Sequence, residues 1–389
     1  MNIVHSIRAL DFSDGGPVRA IIDLSSKLAA LGHNVKIITL DDKDAPEEWR
    51  DNPASNPHTV RIGHMGNKGL TYSPEQRATI HDAIKDADVV HLHAIWEPMT
   101  LGVSKIVRKA NKPYVISLRG MLDDWCMEQR RFKKLIYLKL GASSMLNSAA
   151  AIHSTAEGEL AQSKKWFPKT QGIVIPNLLN LDPYENLPGE QIARETFPMF
   201  DTGDPVLLYL SRLHYKKGIE HLIEAIKILK DSGSPHRLLI AGDGDKAYES
   251  KLKALTKQLN LEDHVAFLGL VTGDTKISLY QAADLFVLPT SQENFGFVLY
   301  ESLAAGTPLV TTKGVDTWPE LQDQAQAVIC DQNKEAFATT IKQLTNDPEA
   351  LKARGQAGRE WIFAEQHPDQ VIQRFEAMYS LAIKSDEGS

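Results

Sequence analysis

Short apolar runs alternate along this chain with longer segments in which apolar residues recur every three or four positions. Ile3 to Ile7 form the first run, and Asp11 to Gly16 follow as a polar loop ended by Gly15 and Gly16. From Pro17 the spacing of Ile21, Leu24, Leu28 and Leu31 predicts an amphipathic helix, with Pro at its first turn and Gly32 as its stop. Val35 to Leu40 is the next run, so the start of the chain reads as a βαβ unit. The pattern continues with Val89 to His93, Tyr114 to Leu118, Ala150 to Ser154 and Ile173 to Ile175. Strands separated by helices predict a mainly parallel sheet covered on both faces.

The stretch from Leu181 to Asp204 breaks this rhythm with Asp182-Pro183, Leu187-Pro188-Gly189, Phe197-Pro198 and Gly203-Asp204-Pro205, and a domain boundary is expected near Pro183. Alternation resumes at Val206 to Leu210, followed by a helix in which Ile219, Leu222, Ile223, Ile226 and Leu229 share one face. Further strands are expected at Leu238 to Ala241, Val265 to Leu268, Leu285 to Leu288, Leu309 to Thr311 and Val328 to Ile329. The expected fold class is α/β, with two tandem doubly wound Rossmann-like domains at 1–183 and 184–365 and a last helix within 366–389. Ligands in open α/β sheets bind at the carboxyl ends of the strands, so a central cleft lined by strand-end loops is the expected place for chemistry.

Composition excludes several classes. The chain has 389 residues, 42% of them apolar and 24% charged, which is ordinary for a soluble globular protein and leaves no room for a disordered, collagenous or disulfide-scaffold reading. A net charge of −7 argues against sequence-independent nucleic-acid binding. Cys126 and Cys330 lie far apart with no metal-ligand spacing around them, as expected of reduced thiols in a cytoplasmic protein. The opening residues lack the pattern of a signal peptide and no run is long enough to span a membrane, so a cytosolic location is expected, with peripheral contact at the inner face of the membrane left open.

Two strand-end loops carry chemistry. Ser211-Arg212-Leu213-His214-Tyr215-Lys216-Lys217-Gly218 places Arg212 and Lys217 between a strand and a helix N-terminus, where free N–H groups and the helix dipole also favour an anion. A solvated basic loop is the plain alternative. Pro289-Thr290-Ser291-Gln292-Glu293-Asn294-Phe295-Gly296 follows another strand, with Glu293 in the loop and Glu301 about two turns into the next helix. A carboxylate there suits polyol hydroxyls, although glutamates at such spacing also line solvated faces.

Arg212 with Lys217-Gly218, then Ile240-Ala241-Gly242-Asp243-Gly244, then Glu293-Asn294-Phe295-Gly296 with Glu301 and Ala305-Gly306-Thr307-Pro308 occur in that order. Together they resemble the retaining glycosyltransferases of family 4, which have the GT-B fold, and the likeness is most specific from about Val206 to Thr312. It extends more weakly through Gly15-Gly16, Val90-His91-Leu92-His93, Glu157 and Ile175-Pro176-Asn177. The resemblance implies transfer of a hexose from a nucleotide diphosphate sugar, UDP- or GDP-linked, to a hydroxyl of a glycan or lipid-linked acceptor, without metal or cofactor. By that likeness Arg212 and Lys217 contact the diphosphate, and Glu293 with Asn294, Phe295 and Gly296 holds the sugar. Glu301 holds the ribose, the Gly15-Gly16 loop closes on the phosphates, and a helix at about Pro368 to Lys384 crosses back to the first domain. Asp243-Gly244-Asp245 forms an Asp-x-Asp, but its place in the glycine loop suits an exposed turn better than a metal site.

The chain also departs from the family pattern. Many relatives have His where Ser117-Leu118-Arg119-Gly120-Met121-Leu122 places Arg119, and an Arg-Gly-Met-Leu run resembles a subset of bacterial surface-polysaccharide transferases. Pro176-Asn177-Leu178-Leu179-Asn180 lacks the family's Gly and Asp. His91 and His93 share a strand face. His93, Arg119 and Asn177 are candidates for contact with sugar or acceptor, beside the alternative of a satisfied core histidine for His93. The basic segment from Arg130 to Lys139 is expected to be helical and to face anionic lipid or a lipid diphosphate, or else to be a solvated face. Other enzymes of the same fold, an epimerase or a sugar-phosphate synthase, stay open. An NAD-dependent dehydrogenase has only the weak support of Gly242, Gly244 and Ala247, and a non-catalytic sugar-binding protein would not need a diphosphate clamp.

Overall fold

The computed structural model describes residues 1–63 and 72–387. Its contacts divide the chain into two compact units, one of residues 1–179 with the last helix from Pro368, the other Asn180–His367. The division falls at Leu179, a few residues before Pro183, and leaves the proline-rich stretch wholly with the second unit.

The first unit contains a seven-stranded sheet in the order β3-β2-β1-β4-β5-β6-β7, and among the described residues its strand pairings are all parallel. The strands are β1 (Asn2–Ser6), β2 (Asn34–Thr39), β3 (His58–Arg61), β4 (Val89–His93), β5 (Tyr114–Ser117), β6 (Ala151–Ser154) and β7 (Gly172–Val174). Alternate residues point to opposite faces, and both faces are buried. Val4, Val90, Leu92, Ile116 and Ile152 belong to one core, where Ile80, Val103 and Leu146 from the covering helices meet them. Ile3, Val35, Val89, Val115 and Ala151 belong to the other, which Val371, Ile372, Phe375, Met378 and Tyr379 of the last helix close. That helix, Pro368–Glu387, is tied at its edges by Lys27 to Asp369 (2.6 Å), His33 to Glu376 (2.7 Å) and Arg374 to the carbonyl of Val174 (2.7 Å). β3 is the strand that hydropathy does not reveal: His-Thr-Val-Arg sits at the sheet edge and buries little.

The second unit has a six-stranded sheet ordered β10-β9-β8-β11-β12-β13. Its strands are β8 (Val206–Leu210), β9 (Arg237–Ala241), β10 (Val265–Gly269), β11 (Leu285–Val287), β12 (Leu309–Thr311) and β13 (Val328–Ile329). The helix Ile219–Asp231 buries Ile219, Leu222, Ile223, Ile226 and Leu229, the face its spacing predicts, each side chain stabilising by roughly 1.5–3 kcal/mol. The helix Pro348–Glu365 packs so closely that a Cβ on Gly355 would lie 2.1 Å from the carbonyl oxygen of Gly306.

Strand order reverses beside β8, because β9 pairs on one side and β11 on the other. The loops leaving β8 and β11 therefore emerge side by side at the carboxyl end of the sheet, the position at which open α/β sheets bind ligands. The first unit has the same reversal at β1, flanked by β2 and β4.

Candidate active site

In the second unit, the loop after β8 tightens into a 3₁₀ turn at Tyr215–Lys217 that ends on Gly218 with φ 63°. A side chain at Gly218 would need that left-handed conformation and would place its Cβ 2.4 Å from the carbonyl oxygen of Pro289. The carbonyl of Lys216 accepts from the backbone N–H of Ser291 (2.8 Å) and from its hydroxyl (3.0 Å), which joins this loop to the one after β11. Lys217 is turned inward, 6% exposed, and forms an ion pair with Glu293. Lys216 donates to Oε1 of Gln292 (2.9 Å).

Glu293 is held on its other side by the loop after β12. Its N–H donates to Gly314 (2.7 Å), and Asp316 donates back to its carbonyl (2.9 Å). Asn294 donates to Oδ2 of Asp316 (3.2 Å). Phe295 is buried and stacks on Tyr300 with ring centroids 4.2 Å apart, so it offers the site its backbone and not its ring. Gly296, at φ 74°, starts the helix Phe297–Ala304 without a side-chain cap. Burial would raise the carboxyl of Glu293, but Lys217, then Lys216 and Arg212, outweigh it and hold the group below its ordinary range. At neutral pH the loops thus present Arg212, Lys216 and Lys217 around a single Glu293 carboxylate, a local surplus of positive charge in a chain whose total is −7.

Glu301 lies in the same helix and is 4% exposed, which requires partners. Lys276 donates to Oε1 (3.0 Å) and Tyr280 to Oε2 (3.2 Å). Neither partner is apparent from sequence, because both lie in a separate helix, Gly273–Ala282, 25 and 21 residues before Glu301. The Asp-x-Asp is structural: Asp245 caps the helix Lys246–Gln258 by accepting from Tyr248 (2.9 Å), while Asp243 accepts from Gly244 and Lys246 at the exposed turn.

In the first unit, Gly15 (φ 88°) and Gly16 open the helix Gly16–Ala30 after the β1 loop. His93, Arg119 and Asn177 come together. Arg119, at φ 59°, donates to Asn177 and stands 3.5 Å from Nδ1 of His93, whose Nε2 lies 3.0 Å from Nδ1 of His5. His93 is 1% exposed, behind the guanidinium. The loop is braced by Glu159, a buried carboxylate accepting from Gly120 and Thr155 (2.6 Å to the N–H); Glu157, which the sequence singles out, is exposed.

Behind these residues runs an ordered chain of hydrogen bonds. The carbonyl of Ile175 can only accept, so Nε2 of His153 donates to it (2.7 Å) and Nδ1 of His153 accepts from Ser117 (2.6 Å). Ser117 then accepts from Nε2 of His91 (2.7 Å), and Nδ1 of His91 accepts from the hydroxyl of Tyr379 (2.8 Å). His5, His91, His93 and His153 are neutral at neutral pH. Burial, helped by the charge of Arg119, pushes His5 and His153 down to about 3 and His91 and His93 well below their ordinary value. Nitrogens of His5, His91 and His93 lie within 4.8 Å of one another, as metal ligands would. Both nitrogens of His91 are already engaged, and the Arg119 cation stands at His93, so the set fits hydrogen bonding better than a dication.

Comparison with known proteins agrees with the fold. Residues 194–361 match the family glycosyl transferases group 1, and residues 15–177 match the glycosyl transferase 4-like domain. The chain is 30% identical over 319 residues to an uncharacterised glycosyltransferase of Methanocaldococcus jannaschii, covering 74% of each chain. It is 24% identical to a GDP-mannose:cellobiosyl-diphosphopolyprenol alpha-mannosyltransferase of Xanthomonas oryzae pv. oryzae, covering 88% of this chain and 87% of that one. The crystal structure of Anabaena HepE in complex with UDP matches with a TM-score of 0.79 at 17% identity over 98% of this chain and 100% of that one. Two Rossmann-like units with loops of this kind define a GT-B glycosyltransferase. The chain belongs to the glycosyl transferases group 1 family.

Proposed function

We propose that this enzyme transfers a hexose from a nucleotide diphosphate sugar to a hydroxyl of a glycan or lipid-linked acceptor, with retention at the anomeric carbon and without a metal ion. The observation that carries this reading is the buried Lys217, paired with Glu293 and flanked by Arg212 and Lys216 at the switch point of the second sheet. As the bond between the anomeric carbon and the phosphate oxygen breaks, negative charge grows on the diphosphate and positive charge on the sugar ring. Fixed cations at the diphosphate stabilise that transition state more than the ground state. Glu293, ionised and held by three loops, is assigned to the sugar hydroxyls, and Glu301 to the ribose. The departing diphosphate serves as base for an acceptor oxygen that attacks from the same face. Arg119, with His93 and Asn177 behind it, is assigned to contact with sugar or acceptor.

Support for the donor class comes from a relative whose name includes a GDP-sugar donor and from a structural neighbour bound to UDP-glucose. The test is turnover of UDP- and GDP-hexoses with the anomeric configuration of the product read by NMR. Lys217→Ala and Glu293→Ala are each expected to lower kcat by about 10²–10³-fold with unchanged circular dichroism, and chelators to have no effect. Near-normal turnover in either variant, an inverted product, or loss of activity on chelation would each refute the part it addresses.

A further inference from the structure

The first unit carries an outward ridge that the transfer chemistry does not use. Helix Arg131–Tyr137 continues into a wider π turn at Leu138–Ala142. One side of this segment is anchored. Tyr137 donates to the carbonyl of Glu97 (2.9 Å), Leu138 is buried, and Lys134 donates to the carbonyl of Cys126 (2.5 Å) with its ammonium 5.2 Å from the Trp96 ring. The other side presents Phe132 at 83%, Ile136 at 58% and Leu140 at 71% exposure. Their spacing of four residues puts them in one row along the outer side. The exposed residues beside them are Arg130, Arg131, Lys133 and Lys139, and the span from Arg130 to Leu140 contains no acidic residue.

Three large side chains this exposed are costly in water unless something covers them. The pattern combines an apolar row, cationic flanks, and a rigid inner anchor that stops the row from folding back. In a chain of net charge −7, a local block of cations selects a negatively charged partner. A helix lying in a bilayer interface has this layout, with its apolar row among the acyl chains and its cations at anionic headgroups.

We propose that Phe132, Ile136 and Leu140 insert into an anionic lipid surface, with Arg130, Arg131, Lys133 and Lys139 at the headgroups. The segment follows the strand-end loop of Arg119, so docking would hold that loop near lipid. The proposal does not depend on the transfer reading, and its test uses no activity. The full chain is mixed with phosphatidylcholine vesicles, with and without 30% phosphatidylglycerol (~30%, a composition at which surface cations respond), and floated. Binding to the anionic vesicles is expected, falling as salt rises. Phe132→Ser/Ile136→Ser/Leu140→Ser is expected to lower the partition coefficient by about 1,000-fold or more, as each buried side chain contributes about tenfold or more. Arg131→Gln/Lys133→Gln/Lys139→Gln is expected to abolish the preference for anionic lipid. Because all six side chains are exposed, both variants are expected to melt with the parent, and circular dichroism checks this. Flotation that is absent, equal on neutral and anionic vesicles, or unchanged in the serine variant would overturn the proposal. Capture only by acidic proteins would do so too.

Discussion

At the scale of single residues, the strongest constraint is a charge out of water. Lys217 and Glu301 are each more than nine-tenths buried, and each is held by a group on a different element: Glu293 for the first, Lys276 and Tyr280 for the second. Such pairs keep a site preorganised, since removing one partner strands the other. With Glu301 at the ribose as proposed, Lys276→Met is therefore expected to raise KM for the donor with a smaller change in kcat, because Glu301 loses the cation that orients it. Steady-state kinetics on the donor check this; an unchanged KM would detach Lys276 from the site. Glu293 keeps its charge in mild acid, since its folded pKa is held below the ordinary value. Its contribution to stability is present at neutral pH and lost only as pH falls through that lowered value. Arg212, Lys217 and Glu293 stand out in the sequence because they fall in loops at strand ends, and Glu301 because its motif resembles the family's. Lys276 and Glu159 were not, because their importance lies in a partner distant along the chain.

At the scale of elements, the last helix does more than finish the chain. Val371, Ile372, Phe375, Met378, Tyr379 and Ala382 cover one face of the first sheet, and Tyr379 starts the hydrogen-bond chain through His91, Ser117 and His153 to Ile175. Tyr379→Phe leaves Nδ1 of His91 buried without a donor, and is expected to destabilise the protein by about 1–3 kcal/mol, read from chemical denaturation. Since that chain ends two residues before Asn177, the variant also tests whether the helix positions Asn177: an added loss of turnover beyond the stability effect would show it. The family resemblance pointed to this helix and hydropathy to most strands, but hydropathy gave β3 no signal, because an edge strand buries too little to need an apolar pattern.

At the scale of the whole molecule, pH acts through buried imidazoles. His5, His91, His93 and His153 are neutral when folded and titrate near 6.5 when unfolded. Below that value the unfolded chain binds more protons, so stability falls as pH drops from about 6.5 toward about 3. Each such group contributes about 1.4 kcal/mol per pH unit to the slope. His153→Gln is expected to flatten the dependence between pH 6 and pH 4 by about that amount, measured as denaturation midpoints across this range. An unchanged slope would mean that the imidazole is charged in the folded protein. The sequence alone determined the α/β class, the alternation of strands and helices, and the strand ends at which charged residues stand, because each follows from local periodicity and turn chemistry. Only the tertiary structure decided which loops meet. Strand order reverses at β8, and this brings Lys217 to Glu293 across 76 residues of chain. It also decided that His93 lies buried behind Arg119 and that Phe132, Ile136 and Leu140 face outward. Burial depends on what packs against a segment, and the segment's own residues do not contain that information.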